Sequence, residues 1–215
     1  MRWTDATGTR PLRHARVWLA PSTWRKAVVG PLDPLHEPAL TAWMAAGRAV
    51  VARRSDARGD DACCVAVALP LSAGRTRIGF AVEPRAVVDI AAPFTLVDVV
   101  DAAPFAWRTA LRDLHDRGAR LGVPFHVYGS LAWQAISGEP CVTASSDVDL
   151  LWSSDRVDPV LRMLTDWEAD SGLHADGELL LADGVGIAWR ELIRGPDRVL
   201  VKHQDRVSLQ SWPMA

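Results

Sequence analysis

The sequence predicts an α+β protein in which a small, strand-rich first domain (residues 1–95) precedes a second domain of alternating helices and strands (residues 96–215). Short valine-rich apolar runs separated by Pro, Gly and Asp fill the first part, which is typical of strands joined by turns. A helical period of apolar residues begins only afterwards. Pro93 and Pro104, each preceded by two alanines, mark the change between the two patterns.

The first domain is predicted to contain mainly strands and one short helix. Its apolar runs are rich in β-branched valine, which fits the pleated surface of a sheet. These runs lie at residues 16–19, 28–29, 49–51, 65–69 and 77–80. Residues 38–46 are the one segment here that favours a helix, so we expect a small mixed domain.

The second domain opens with a predicted helix that starts near Asp101. Pro104 falls in its first turn, where a missing N–H breaks no helical hydrogen bond, and Gly122 with Pro124 ends it. The apolar positions that share one face of this helix are Trp107, Leu111, Leu114 and Leu121. The stripe predicts a helix packed on a core.

Strands and helices alternate after this helix. Residues 125–128 are predicted as a buried strand, residues 131–136 as a short helix, and residues 147–152 as a second strand. Asp158 and Pro159 are typical of a helix start, and the helix that follows carries the apolar stripe Val160, Leu161, Leu164 and Trp167. The last predicted elements are a hairpin (178–181 and 185–189 around the turn 182–184), a segment at 189–192 and a strand at 199–201.

Charge and hydropathy exclude several classes of partner. The chain has a net charge of −2, although residues 1–100 hold 13 basic and 9 acidic groups and the rest hold 11 and 17. That basic excess is far below what duplex DNA binding requires, so we expect no DNA partner. The longest apolar run, residues 63–71, is about half a membrane span, and no signal peptide is visible. We expect a cytoplasmic protein without a membrane partner, with its three cysteines as reduced core thiols.

One constellation carries chemistry. Gly129 and Ser130 stand where a buried strand meets a helix, and Asp147 and Asp149 begin the next strand seventeen residues after Ser130. A glycine lets backbone approach a phosphate, and a helix N-terminus favours anions. Alternate strand positions place both aspartates on one face, about 6–7 Å apart, where a divalent cation would offset their repulsion. A turn glycine, a capping serine and two solvated aspartates are the simpler interpretation.

The Gly-Ser and Asp-x-Asp pattern resembles the nucleotidyltransferase superfamily related to DNA polymerase beta, and the wider pattern resembles malonate decarboxylase holo-acyl carrier protein synthase, also called phosphoribosyl-dephospho-CoA transferase. The resemblance covers nearly the whole chain. The segments that carry it are residues 128–134, 145–152, 176–179, 188–192 and 199–202, with Arg13-His14, Val17-Trp18-Leu19, Arg53-Arg54, Pro70 and Arg75-x-Arg77 in the first half. It implies that the second domain has the nucleotidyltransferase fold.

The resemblance also implies a reaction. The phosphoribosyl-dephospho-CoA unit of triphosphoribosyl-dephospho-CoA would pass to a serine of the apo acyl carrier protein subunit of malonate decarboxylase, with release of pyrophosphate. In-line attack at phosphorus beside an acidic, metal-holding pair is chemistry that the predicted site supports. Two alternatives stay open: a nucleotidyltransferase that adenylylates a small molecule or a protein, and an inactive nucleotide-binding interaction domain.

Roles in the second domain follow from this hypothesis. Asp147 and Asp149 are expected to hold Mg²⁺, in a number of ions left open, and Gly129 and Ser130 to hold the terminal phosphates. Glu178 is the expected third catalytic carboxylate, with Asp176 and Glu191 as rivals and an exposed hairpin carboxylate as the simpler interpretation. Arg190 and Lys202 are expected to bind phosphates, unless Arg190 belongs to a helix face and Lys202 to a solvated strand end.

The first domain supplies further candidates for binding the polyphosphate substrate or the carrier protein. Guanidinium groups pair bidentately with phosphate, which favours arginine for this purpose. The candidates are Arg13, Arg53, Arg54, Arg75 and Arg77. Each of them is equally compatible with a solvated surface.

Overall fold

The computed structural model describes residues 3–5, 8–55 and 62–213, which form two compact units. The first unit comprises the described residues up to Pro93, together with Ile136–Cys141 and Gln204–Arg206. The second unit comprises Phe94–Ala135, Val142–His203 and the described residues from Val207 onward. The architecture is mixed α and β, as expected for an α+β protein.

The first unit contains a five-stranded sheet in which every pairing is antiparallel. Its strands, in the spatial order β4-β3-β2-β1-β5, are β1 (Arg16–Leu19), β2 (Val50–Ala52), β3 (Cys63–Ala68), β4 (Arg77–Val82) and β5 (Val87–Ala91). Two helices, α1 (Trp24–Ala27) and α2 (Glu37–Ala45), accompany the sheet. The predicted run at 28–29 is not a strand, because Val28 makes only an isolated bridge to Phe80.

Gln204 completes the hydrogen bonding of the first unit from a distant point of the chain. Its side-chain Oε1 accepts from the backbone N–H of Arg13, and its Nε2 donates to the carbonyl oxygen of Pro11. Its own carbonyl accepts from the N–H of Ser55. Three backbone groups of the first unit are therefore satisfied by one residue, which explains why Gln204–Arg206 belong to that unit.

The second unit contains a seven-stranded sheet in the order β12-β11-β10-β9-β8-β7-β6. Its strands are β6 (Phe94–Thr95), β7 (His126–Val127), β8 (Val148–Trp152), β9 (Ala175–Leu180), β10 (Gly186–Ala188), β11 (Arg198–Lys202) and β12 (Val207–Ser211). The pair β8–β9 is parallel and the other pairs are antiparallel. Its helices are α3 (Leu96–Val99), α4 (Arg108–Leu121), α5 (Gly129–Ser137), α6 (Val157–Ser171) and α7 (Trp189–Leu192).

The helix predicted to start near Asp101 starts later, at Arg108. Pro104 is extended and precedes a 3₁₀ turn at Phe105–Trp107, while the Arg108 guanidinium donates to the carbonyl oxygens of Asp101 and Ala103. These carbonyls are satisfied by a side chain, so the segment needs no helix. A capping box between Thr95 and Asp98 starts the separate helix α3, which the sequence analysis did not predict.

The core of the second unit lies on one face of its sheet. Val148, Leu150 and Trp152 of β8 are buried there among residues of α4 and α6. The intervening residue Asp149 therefore faces the opposite side. The prediction of both aspartates on one face of this strand is correct only for Asp149, because the strand begins at Val148 and Asp147 precedes it.

Candidate active site

The turn between β7 and α5 lies directly against β8. The N–H of Tyr128 donates to the carbonyl oxygen of Asp149, 3.1 Å away. Gly129 has a φ of +66°, and a Cβ atom at this position would lie 1.7 Å from Oδ2 of Asp149. The positive φ and the lack of space both exclude a larger side chain. The Gly-Ser turn and the acidic strand are thus in contact.

Helix α5 begins at this contact. Gly129 and Ser130 are its first two residues, and the first-turn N–H groups of a helix have no partner within the helix. They form the positive end of the helix dipole, which stabilises a nearby anion. The carboxylate of Asp149 thus lies beside the N-terminus of α5.

A second carboxylate lies beside Asp149 on the neighbouring strand. In the parallel pair β8–β9, Asp149 stands opposite Asp176, and Leu151 stands opposite Glu178. Residues directly opposite in a sheet point to the same face, so Asp149 and Asp176 share the face that is turned away from the core. Both side chains are half-buried, and Oδ1 of Asp176 accepts from the N–H of Gly177 at 2.7 Å.

Asp147 occupies a different position from Asp149. It precedes β8, so the strand pairing that fixes the position of Asp149 does not include it. Two hydrogen bonds stabilise the turn before it. The N–H of Thr143 donates to the Ser146 hydroxyl oxygen at 3.0 Å, and the N–H of Ser146 donates to the Thr143 carbonyl oxygen at 3.1 Å. Asp147 thus extends, exposed, from a hydrogen-bonded turn rather than from the sheet.

Gly177 separates Asp176 from Glu178 and admits no other residue. Its φ is +137°, and a Cβ atom would lie 1.9 Å from the carbonyl oxygen of Leu150. The close approach keeps β9 tight against β8 at the level of the two aspartates. A side chain here would separate the strands that bring Asp149 and Asp176 together.

Glu178 is buried, with 4% of its surface exposed, so its interpretation as an exposed hairpin carboxylate is wrong. Its Oε1 accepts a hydrogen bond from Nζ of Lys202, 2.8 Å away. Lys202 reaches it across β10, where the intervening residues Gly186 and Ala188 are small. A buried carboxylate requires such a partner, so the first identifiable task of Glu178 is to hold Lys202.

Arg190 and Glu191 are both bonded within the second unit. Arg190 forms a two-pronged ion pair with Glu168 of α6 and also donates to the carbonyl oxygen of Ala175. Oε1 of Glu191 accepts from the N–H of Leu200 at 2.9 Å, beyond the point where β10 ends. Glu191 therefore provides the acceptor for the N–H of Leu200, which has no acceptor on β10.

The arginines of the first unit occupy different environments. Arg13 is buried, with 6% of its surface exposed, and its Nη2 lies 3.0 Å from Nε2 of His14. Arg53 is half-buried, with its guanidinium against Gly79. Arg54, Arg75 and Arg77 are exposed, and Arg75 adopts a φ of +54° in the turn before β4. Three of the five candidates thus have solvent-facing side chains.

Two features are absent from the described part of the chain. No group of three or more His, Cys, Asp or Glu side chains is arranged to hold a metal ion in residues 3–5, 8–55 and 62–213. In the same ranges no helix combines the length and the apolar character needed to cross a bilayer. The three cysteines, all described, are buried and unbridged, which confirms their prediction as core thiols.

Both halves of the chain match known proteins. The family profile for the phosphoribosyl-dephospho-CoA transferase MdcG N-terminal domain matches residues 12–93, and that for the C-terminal domain matches residues 95–213. A phosphoribosyl-dephospho-CoA transferase of Xanthomonas campestris pv. campestris is 39% identical over 90% of this chain and 91% of its own. A phosphoribosyl-dephospho-CoA transferase of Bradyrhizobium diazoefficiens is 35% identical over 93% of this chain and 89% of its own. No solved structure matches.

Two matched domains in the same order, and relatives that align over nearly their full length, define this protein as a transferase. The chain belongs to the phosphoribosyl-dephospho-CoA transferase family. The resemblance predicted from the motifs is confirmed.

The sequence analysis missed two residues that organise the site. Glu168 lies beside the predicted apolar stripe of α6 and carried no signal of its own. Gln134 of α5 donates to the carbonyl oxygen of Ala102 and accepts from the N–H of Val142, at 2.6 and 3.0 Å. It is the one amide side chain in the otherwise apolar segment 131–136. A single polar residue among apolar ones indicates a buried hydrogen-bonding role, so the sequence could have revealed it.

Proposed function

We propose that this protein transfers the phosphoribosyl-dephospho-CoA unit of triphosphoribosyl-dephospho-CoA to a serine of the apo acyl carrier protein of malonate decarboxylase. The contact of Gly129 with Asp149, beside Asp176 on a parallel strand, carries the proposal. A carboxylate on a strand beside a Gly-Ser turn is compatible with the proposed nucleotidyltransferase chemistry, and the family membership supports the substrate. The proposed second domain of nucleotidyltransferase type corresponds to residues 96–215.

The reaction is a substitution at phosphorus. The serine oxygen of the carrier forms a new bond to the phosphorus next to the ribose, and the bond from that phosphorus to pyrophosphate breaks. The serine proton passes to a nearby carboxylate or to water, and the product is a phosphodiester. Positioning and charge stabilisation supply most of the catalysis in such transfers.

The residues of the second unit divide this work. Backbone N–H groups at Gly129 and Ser130 would bind the departing phosphates at the N-terminus of α5. Asp147 and Asp149 would hold Mg²⁺, which when bound neutralises charge on the phosphate oxygens, with the remaining ligands coming from the substrate phosphates and water. One or two carboxylates with substrate phosphates and water are a common environment for Mg²⁺, so the residues present fit this ion.

We propose Asp176 rather than Glu178 or Glu191 as the third carboxylate. Asp176 stands opposite Asp149 and is partly accessible. Glu178 is bound to Lys202 and Glu191 to a strand N–H. Lys202, held by Glu178 with about a third of its side chain exposed, is the better candidate of the two basic residues for contact with a phosphate.

The exposed arginines of the first unit are proposed to face the carrier protein. Arg54, Arg75 and Arg77 present their charges to solvent, where they can attract an acidic partner at long range. Arg13 and Arg53, which are more buried, would act on the substrate only if a phosphate reached them.

The test is intact-mass analysis of the carrier. The protein is incubated with apo carrier protein, Mg²⁺ and triphosphoribosyl-dephospho-CoA, beside a relative from Xanthomonas campestris as a positive control. A gain equal to phosphoribosyl-dephospho-CoA supports the proposal. A mass gain equal to AMP when ATP is supplied would instead support adenylylation. If the control is active and this protein gives no mass gain, the result would support an inactive nucleotide-binding interaction domain.

A further inference from the structure

The start of β9 is fixed by an ion pair that comes from two helices. Glu168 of α6 and Arg190 of α7 face each other, with Nη1 of Arg190 2.9 Å from Oε2 of Glu168 and Nη2 bonded to Oε1. Two parallel hydrogen bonds between a guanidinium and a carboxylate fix orientation as well as distance. The pair therefore holds the C-terminal part of α6 and the start of α7 in one relative position.

The same two side chains capture both polar backbone groups of Ala175. Oε1 of Glu168 accepts from the N–H of Ala175, and Nη2 of Arg190 donates to its carbonyl oxygen, each at 2.7 Å. Ala175 is the first residue of β9 and immediately precedes Asp176. The direction in which the chain enters β9 is thus set by Glu168 and Arg190.

The pair is partly shielded from solvent. The Glu168 side chain is 14% exposed and the Arg190 side chain 40%, and the guanidinium lies over the buried ring of Trp189, 4.3 Å from its centre. Partial burial and stacking make such a pair stronger than an isolated surface ion pair. Three of the five guanidinium donors are already used by Glu168 and Ala175, which fixes the orientation of the guanidinium toward them.

We infer that Glu168 and Arg190 are positioning residues that keep Asp176 opposite Asp149. The inference rests on the proposed function, in which Asp176 is a carboxylate of the reaction site. It gives Arg190 a role different from the phosphate contact expected from the sequence. It also predicts that Glu168, which has no place in the reaction itself, is as important as Arg190.

The experiment compares Arg190→Gln, Glu168→Gln, the double variant and Arg190→Lys. An amide in place of the Glu168 carboxylate offers one acceptor oxygen instead of two at the same side-chain length, whereas Arg190→Gln removes the guanidinium and shortens the side chain, so both single variants break the pair. We expect each to lower kcat about tenfold or more with less than about a twofold change in KM for the triphosphate substrate, because misplaced groups slow the chemistry. The double variant should be no worse than either single one.

A second readout does not depend on activity. Backbone hydrogen exchange of the peptide 174–178 should accelerate in Arg190→Gln and Glu168→Gln, and Arg190→Lys should restore part of the protection. The matched control is Arg117→Gln, which removes the ion pair between α4 and Asp170 of α6 but leaves both side-chain bonds to Ala175 in place. It should leave kcat and the exchange of this peptide unchanged.

Other outcomes overturn the inference. If Arg190 bound a phosphate, Arg190→Gln would raise KM and Glu168→Gln would leave the rate intact or raise it. Unchanged exchange at 174–178 in both variants would also contradict it. Failure of the proposed function is distinguishable, because then the wild-type protein itself would not modify the carrier, whatever the exchange data showed.

Discussion

The two units of this molecule build their sheets differently. All pairs of the five-stranded sheet are antiparallel, whereas the seven-stranded sheet contains one parallel pair, β8–β9, joined through α6. The parallel pair brings Asp149 and Asp176 side by side on one face. In the first unit the candidate arginines include one that is buried, one that is half-buried and three that are exposed.

The difference separates two kinds of functional residue. The acidic residues of the second unit are fixed by strand register and by tight glycine contacts, which suits chemistry that requires sub-ångström placement. The exposed arginines of the first unit face solvent, which suits the proposed recognition of a partner by charge. Substitutions in the two units should therefore affect different kinetic quantities.

The largest effect is expected for Asp149→Asn. The amide keeps the shape but removes the charge beside the Gly129 turn, so the rate of carrier modification should fall on the order of a hundredfold or more. Carrier binding should be unchanged. Intact-mass time courses give the rate, and surface plasmon resonance gives the affinity. An Asp149→Asn protein with full activity would exclude Asp149 from the metal site.

Gly129→Ala should come next. The new methyl group would collide with the Asp149 carboxylate, so we expect at least a tenfold loss of rate. Gly172→Ala is the matched control, because Gly172 has nearly the same φ, +69° against +66°, with nothing within 4 Å of the added atom. Both variants bear the backbone penalty of about 1–2 kcal/mol. Equal activity in the two, measured at equal folded fraction, would show that the close contact is unimportant.

Charge reversal in the first unit should have a smaller effect of another kind. The double variant Arg54→Glu with Arg77→Glu should have a KM for the carrier about tenfold higher than the wild type at low salt, with kcat within about twofold. At high salt the KM values of the variant and the wild type should become equal. Arg85→Glu is the control, since Arg85 lies in the same unit but already pairs with Glu83. A KM that is independent of salt would place the carrier elsewhere.

The smallest effect concerns the thiols. Burial raises the pKa of Cys63 and of Cys141, so less of the reactive thiolate is present in the folded protein at a mildly alkaline pH. Iodoacetamide should label the native protein slowly and the urea-unfolded protein fully, as counted by mass spectrometry. Rapid labelling of the active native protein would show that the buried thiols become accessible readily.

The sequence analysis predicted those parts of the site that depend on neighbours in the chain. The strand with Asp149, the turn at Gly129 and the helix after it follow from period and residue type over a few positions. The register that places Asp176, and not Glu178, opposite Asp149 could not be predicted in this way. No local pattern encodes the register of two strands that are joined through a fifteen-residue helix.

The elements that were misplaced have a similar cause. The start of α4 moved because the Arg108 side chain satisfies carbonyls that a helix would otherwise have satisfied. The strand β12 escaped prediction although its residues alternate in exposure, since it has few apolar side chains. The ion pair of Arg190 with Glu168 was not predicted either, because the two residues are twenty-two positions apart and only folding brings them together.

Gln204 has a consequence for the order of events during synthesis. A chain emerging from the ribosome presents Pro11, Arg13 and Ser55 long before the residue that bonds to all three. These three groups stay hydrated while about 150 further residues are translated, which at typical elongation speeds takes on the order of 10–30 seconds. A product truncated after residue 203 would lack all three of these hydrogen bonds, so its amino-terminal part should be less stable than in the full chain although every residue before the truncation is intact.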